Sequence, residues 1–151
     1  MSLGRLLYHA CWYALLGPFL GVFAAIFTFG LFDNNNFTGY LIDILPLLPI
    51  LIMFGYFWGA VPAFLTGAMV ACLPGHFYFA GWQRILLSGA IGASLAFCSG
   101  YLLFYSGPNI FSHPILWVMC CAGLFSGMVM GWLIIKISYA EELPIRKDIE
   151  P

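Results

Sequence analysis

Residues 55–71 read GYFWGAVPAFLTGAMVA, with Gly55, Gly59, Ala63, Gly67 and Ala71 at every fourth position and no charged side chain among them. A repeat of four places these small residues on one face of a helix. In a soluble protein such a face would have no reason to be small. In lipid it has one, because hydrophobicity supplies no attraction between helices there. Close backbone approach over Gly and Ala then replaces it. The stretch is therefore read as the packing face of a membrane-spanning helix.

Three further segments carry shorter runs of the same kind: Gly17, Gly21 and Ala25; Ser88, Gly92, Ala96 and Gly100; and Gly123, Gly127 and Gly131. The packing residues expected from these runs are Gly17, Gly21, Gly55, Gly59, Ala63, Gly67, Gly92, Ala96, Gly100, Gly123, Gly127 and Gly131. Pro62 lies deep within the second segment. Its ring and missing N–H should release the carbonyl of Trp58 and kink that helix.

Composition supports the same class. Of 151 residues 63% are hydrophobic and 7% charged, and mean hydropathy is +0.98, against about 25% charged residues in an average soluble domain. The charges fall between four uncharged stretches, each long enough for the ~20 residues that cross a bilayer. These predict an all-α, four-helix integral membrane bundle. Its spans lie at about 6–32, 45–73, 84–105 and 114–137, within a single domain of residues 1–140. Residues 141–151, with Glu141, Glu142, Arg146, Lys147, Asp148 and Glu150, form a mixed-charge tail that is expected to be mobile. The first apolar run exceeds the ~7–15 residues of a signal-peptide core, so it is read as a retained helix.

Arg5, Arg84, Lys136, Arg146 and Lys147 all fall on one side of this topology. Positive residues flanking spans are held in the cytoplasm, which predicts cytoplasmic N- and C-termini and a bacterial inner-membrane location. Asp43, Pro46 and Pro49 crowd the entrance to the second helix. They predict an irregular start, with Asp43 as an interfacial cap. Asn34, Asn35, Asn36 and Gly39 read as a polar turn before it.

Residues able to do chemistry are scarce. No acidic side chain falls at mid-helix, where ion-coupled transport would need one. His9, His76 and His113 sit at expected ends or loops, and the five cysteines form no C-x-x-C pair. The cysteines are read as buried small hydrophobes and the histidines as interfacial side chains. Ser88, Ser94, Ser99 and Ser126 have no base near them in sequence. They should hydrogen-bond across helices or back to the preceding turn. Trp12, Tyr13, Tyr40, Trp82 and Trp117 read as an aromatic belt, whereas Tyr56, Phe57 and Trp58 lie deeper and are read first as filling space beside the small-residue stripe, with a groove for a lipid or quinone as the alternative. No enzyme activity, cofactor or metal is expected. A net charge of −1 gives no reason to expect nucleic acid.

Two patterns carry a resemblance. Gly17, Pro18 and Gly21 form Gly-Pro-x-x-Gly. Tyr56, Gly59, Pro62, Ala63, Thr66 and Gly67 form Tyr-x-x-Gly-x-x-Pro-Ala-x-x-Thr-Gly. Together they resemble a group of small bacterial inner-membrane proteins, a resemblance that brings no activity with it. The residues leave three functions open. The first is an accessory or assembly subunit, or a homo-oligomeric scaffold, whose partners would be lipid and other transmembrane helices; the long second stripe leaves room for such a helix. The second is a small carrier or channel for a neutral or lipid-like substrate. The third is a membrane immunity or regulatory protein.

Overall fold

The computed structural model describes residues 3–32, 37–74, 81–104 and 114–146. Helix α1 covers Leu3–Phe32, α2 Phe37–Ile44, α3 Leu48–Ala71, α4 Gly81–Phe104 and α5 Pro114–Arg146, and a 3-10 turn over Leu45–Leu47 joins α2 to α3. Among the described residues four spans are long and apolar enough to cross a membrane: Leu6–Leu31, Phe37–Ala71, Gly81–Leu103 and Pro114–Ile134. The architecture is an all-α four-helix membrane bundle.

Spans α1, α3, α4 and α5 form a ring in chain order, each packed on the next and the last back on the first, while α3 and α5 scarcely touch across the diagonal. This is up-down-up-down topology with short connections. Two pairs are tight, α1 with α3 and α4 with α5, and the α3–α4 seam is the sparsest of the four.

Small residues set those distances. A methyl added at Gly92 would overlap the carbonyl oxygen of Gly123. One added at Gly123 would lie 2.5 Å from the carbonyl oxygen of Gly92. Between α1 and α3, a methyl at Gly67 would lie 2.7 Å from the His9 carbonyl oxygen and 2.9 Å from the Ala10 Cα. At these crossings backbone meets backbone, so that dispersion over a long contact replaces the missing hydrophobic drive.

The entrance to the second span departs from the sequence reading in two respects. Gly39 lies inside helix α2 instead of a turn, because Phe37, Tyr40, Leu41 and Ile44 repeat at helical spacing and Phe37 and Tyr40 close over Gly30. Residues 33–36, with the three asparagines, lie outside the described residues. Asp43 sits exposed within α2 and does not cap. The 3-10 turn and α3 both start without a side-chain cap, each with a proline at its first or second position. A proline there has no N–H to satisfy and removes part of the need for a cap.

Helix α3 continues through Pro62, where Thr66 Oγ1 donates to the Pro62 carbonyl at 2.7 Å. Helix α5 extends past the expected boundary at Ile137 as far as Arg146. Residues 141–146 of the expected tail are thus helical, and 147–151 fall outside the described residues.

The interior is uneven along its axis. At the end carrying the chain termini, Tyr13, Val70, Met130 and Ile134 form a buried cluster, with Trp12, Leu16, Leu20, Leu73 and Ile91 packed against it. The middle of the bundle is hollow.

Candidate functional site

The floor of the hollow is polar. Ser88 Oγ donates to the Gly127 carbonyl at 2.7 Å. That bond uses its only proton, so in the 2.5 Å contact between Tyr13 and Ser88 the phenol is the donor. One turn towards the termini on the same two helices stand His9 and Arg84, each 2% exposed. The spacing of four on both α1 and α4 stacks these side chains in pairs. Arg84 is the largest fully buried side chain of the described residues. Its guanidinium lies inside the bundle beneath the floor.

Above the floor lies a cleft of about 200 Å³, walled by all four spans. From α1 come Tyr13, Gly17, Pro18, Gly21, Val22 and Ala25. Helix α3 contributes a face from Gly55 to Thr66 that includes Trp58, Gly59, Pro62 and Ala63. The far wall is Gly92, Ala96 and Ser99 of α4 with the Val118–Gly127 face of α5. Along α1 the lining runs from Tyr13 to Ala25, about 18 Å at 1.5 Å per residue. Trp58 is the exposed member of this lining and marks where the cleft meets the surface.

Every hydroxyl on the wall is already spent as a donor. Ser126 Oγ donates across to the Gly17 carbonyl at 2.8 Å, and Thr66 to Pro62. Ser99 donates back to Leu95 at 2.7 Å and to Ala96 at 3.1 Å. Ser94, on the outside of α4, bonds back to Ala90 at 2.9 Å. Two serines thus reach across helices and two reach back one turn.

The twelve packing residues singled out in the sequence fall in three overlapping settings: backbone crossings, side-chain contacts and the cleft lining. Gly67, Gly92, Gly123 and Gly127 sit at backbone-to-backbone crossings. Gly17, Gly55, Gly100 and Gly131 meet neighbouring side chains, Gly17 at 3.0 Å from the Ala63 Cβ and Gly131 at 2.9 Å from the Ser88 Cβ. Gly21 and Gly59 border the cleft. A methyl at Gly21 would meet nothing within 4 Å, and one at Gly59 would make ordinary contact with Pro18 at 3.4 Å. Ala63 and Ala96 line the cleft, as do Gly17, Gly55, Gly92, Gly123, Gly127 and Pro62.

Several side chains lie where the sequence reading did not put them. Tyr13, assigned to the aromatic belt, is 2% exposed and forms the floor. His9, read as interfacial, is buried, and His76 and His113 lie outside the described residues. Four of the five cysteines are exposed and Cys120 is half-buried. A thiol is apolar enough to face lipid, so it needs no burial. Of the deep aromatic trio, Trp58 lines the cleft, Phe57 points outward at 72% exposure, and the Tyr56 hydroxyl donates to the Leu15 carbonyl of α1. Arg84 appeared in the sequence only as a flanking positive charge. Its spacing of four from Ser88 was the available signal that it shares a face with the small-residue run.

Four apolar spans, a closed ring of helices and an interior of small residues define a small multi-pass integral membrane protein. Residues 2–135 match the family described as Inner membrane protein CbrB. The chain belongs to that family. It is 31% identical over 143 residues to Inner membrane protein CbrB of Escherichia coli O9:H4 (strain HS), covering 88% of each chain. It stands in the same relation to the protein of that name from Shigella flexneri. To the one from Escherichia coli O6:H1 it is 32% identical over 142 residues, covering 86% of each. No solved structure matches. The family places the protein in the bacterial inner membrane, where its four spans make it multi-pass.

Proposed function

We propose that this protein binds a neutral, lipid-like molecule inside its bundle, as a small membrane carrier would. The observation that carries the reading is the cleft walled by all four spans, above a buried cluster that closes the end carrying the termini. Apolar clefts with few polar groups are the common form of small-molecule sites, and lipid supplies apolar ligands directly to a site at this depth. Charged cargo does not suit the wall, because Arg84 lies below the floor and outside the lining.

The accessory-subunit or oligomer reading rests on a different observation. The stripe on α3 turns inward against α1 and the cleft, so it no longer calls for a partner helix. What supports that reading is the size of the opposite face, where Met53, Phe54, Phe57, Val61 and Leu65 are all exposed and the Phe37–Ala71 span has none of its most apolar window buried within the chain, a surface that either lipid or a partner helix can cover.

Native mass spectrometry of gently extracted protein separates the two readings. A monomer or homo-oligomer retaining a small hydrophobic molecule at a fixed ratio supports the carrier. A reproducible protein partner on a chain with an empty cleft moves the accessory reading to first place.

A further inference from the structure

The wall chemistry narrows what the cleft can take, given the binding function proposed above. Tyr13, Thr66, Ser99 and Ser126 are the hydroxyl-bearing residues of the lining. Each has its single proton committed, to Ser88, Pro62, Leu95 and Gly17 respectively. The helical backbone N–H groups along the wall serve the helices themselves. Pro18 and Pro62 add no donors, and Pro62 leaves the carbonyl of Trp58, itself a lining residue, without its helical bond. The wall is therefore mostly apolar, with a few acceptors and almost no free donors. The remaining donor in the lining is the indole N–H of Trp58, on a side chain 39% exposed at the mouth.

Size narrows the choice further. A cavity near 150 Å³ takes a benzene ring, and sites for whole drug-sized ligands run from roughly 300 to 1,000 Å³. At about 200 Å³ the cleft holds part of a lipid, not all of one. Its lining runs along the helix axis and contains glycine on every span, which suits a slender group.

We infer that the cleft takes a single hydrocarbon chain, bare or ending in an alcohol, and rejects groups that only accept hydrogen bonds, such as a quinone ring or a carboxylate. A buried carbonyl would find no donor and lose the hydrogen bonds it had elsewhere, whereas a hydroxyl would meet an acceptor. The chain enters through the mouth at Trp58. It belongs either to a membrane phospholipid, whose headgroup stays outside, or to a free long-chain or isoprenoid alcohol.

The test uses purified full-length protein in which Trp12, Trp82, Trp117 and Trp132 are replaced by Phe, so that emission reports Trp58 alone. 1-Hexadecanol and decylubiquinone are titrated as probes, and molecules carried through purification are extracted and identified by mass. Gly21→Leu fills the cleft, because a side chain at Gly21 grows into open space. Ala25→Leu serves as a second filling variant should the first not fold. The expected result is saturable binding of 1-hexadecanol, at least tenfold tighter than decylubiquinone, weakened at least tenfold by the filling variant. A co-purified phospholipid or isoprenoid alcohol, lost in the same variant, distinguishes the two sources. Decylubiquinone binding as tightly as the alcohol, and lost on filling, overturns the donor argument while leaving a ligand-binding bundle. Binding of neither probe that responds to filling overturns the proposed function as well.

Discussion

One hydroxyl, that of Ser88, ties three helices together by donating to Gly127 on α5 and accepting from Tyr13 on α1. Interhelical hydrogen bonds in membrane proteins average about 0.6 kcal/mol. Tyr13→Phe should therefore cost about 0.6 kcal/mol, and Ser88→Ala about twice that through loss of both bonds. Reversible unfolding in mixed detergent micelles, followed by circular dichroism, measures the two, and equal losses would show that the Tyr13 bond carries all of the stability. Arg84→Ala should cost more, about 2–5 kcal/mol, as expected for emptying the space of a large buried side chain. A loss below 1 kcal/mol would mean that the guanidinium reaches water. Neither Tyr13 nor Arg84 was legible as interior. Both lie near predicted helix ends, where the default for Tyr is the headgroup belt and for Arg the cytoplasmic surface. Which way a side chain near a helix end turns depends on the neighbouring helices.

Between elements, the glycines make a graded prediction. The four-residue stripes were legible from the sequence because a helix repeats its faces with a fixed period. Which stripe positions meet a backbone and which border a cleft was not, because that depends on where two helix axes cross. Gly92→Ala should cost about 1–3 kcal/mol, since the added methyl drives into the Gly123 carbonyl. Gly67→Ala should do likewise against His9 and Ala10. Gly21→Ala and Gly59→Ala should be neutral or gain up to about 1 kcal/mol from helix propensity. The same unfolding assay ranks the four. Equal losses at all four positions would mean that the stripes act uniformly and that no cleft opens among them.

For the whole molecule, the prediction is orientation. All five Lys and Arg residues lie on one side of the four-span topology, so both termini should be cytoplasmic. Alkaline phosphatase fused after Pro151 should be inactive and a fluorescent protein at the same place bright; the reverse pattern would invert the bundle. The uneven interior also predicts uneven exchange. Amides of α4 and α5 near the Gly92–Gly123 crossing should be the most protected from hydrogen exchange, and those of α3 facing the sparse α3–α4 seam the least. Uniform protection across the spans would show that the seam is as firm as the tight pairs.

By itself the sequence determined the membrane class, the number of spans and which small residues share a helix face. All of these follow from length, composition and the helical period, which act within about one turn of chain. Tertiary structure alone decided that the α3 stripe is used inside the chain, that Tyr13 and Ser88 meet across 75 residues, and that the small residues leave a cleft between them. The physical reason is that small side chains permit two helices to approach but do not fix where their axes diverge. Contact and hollow are written with the same residues, and only the packing of four helices at once tells them apart.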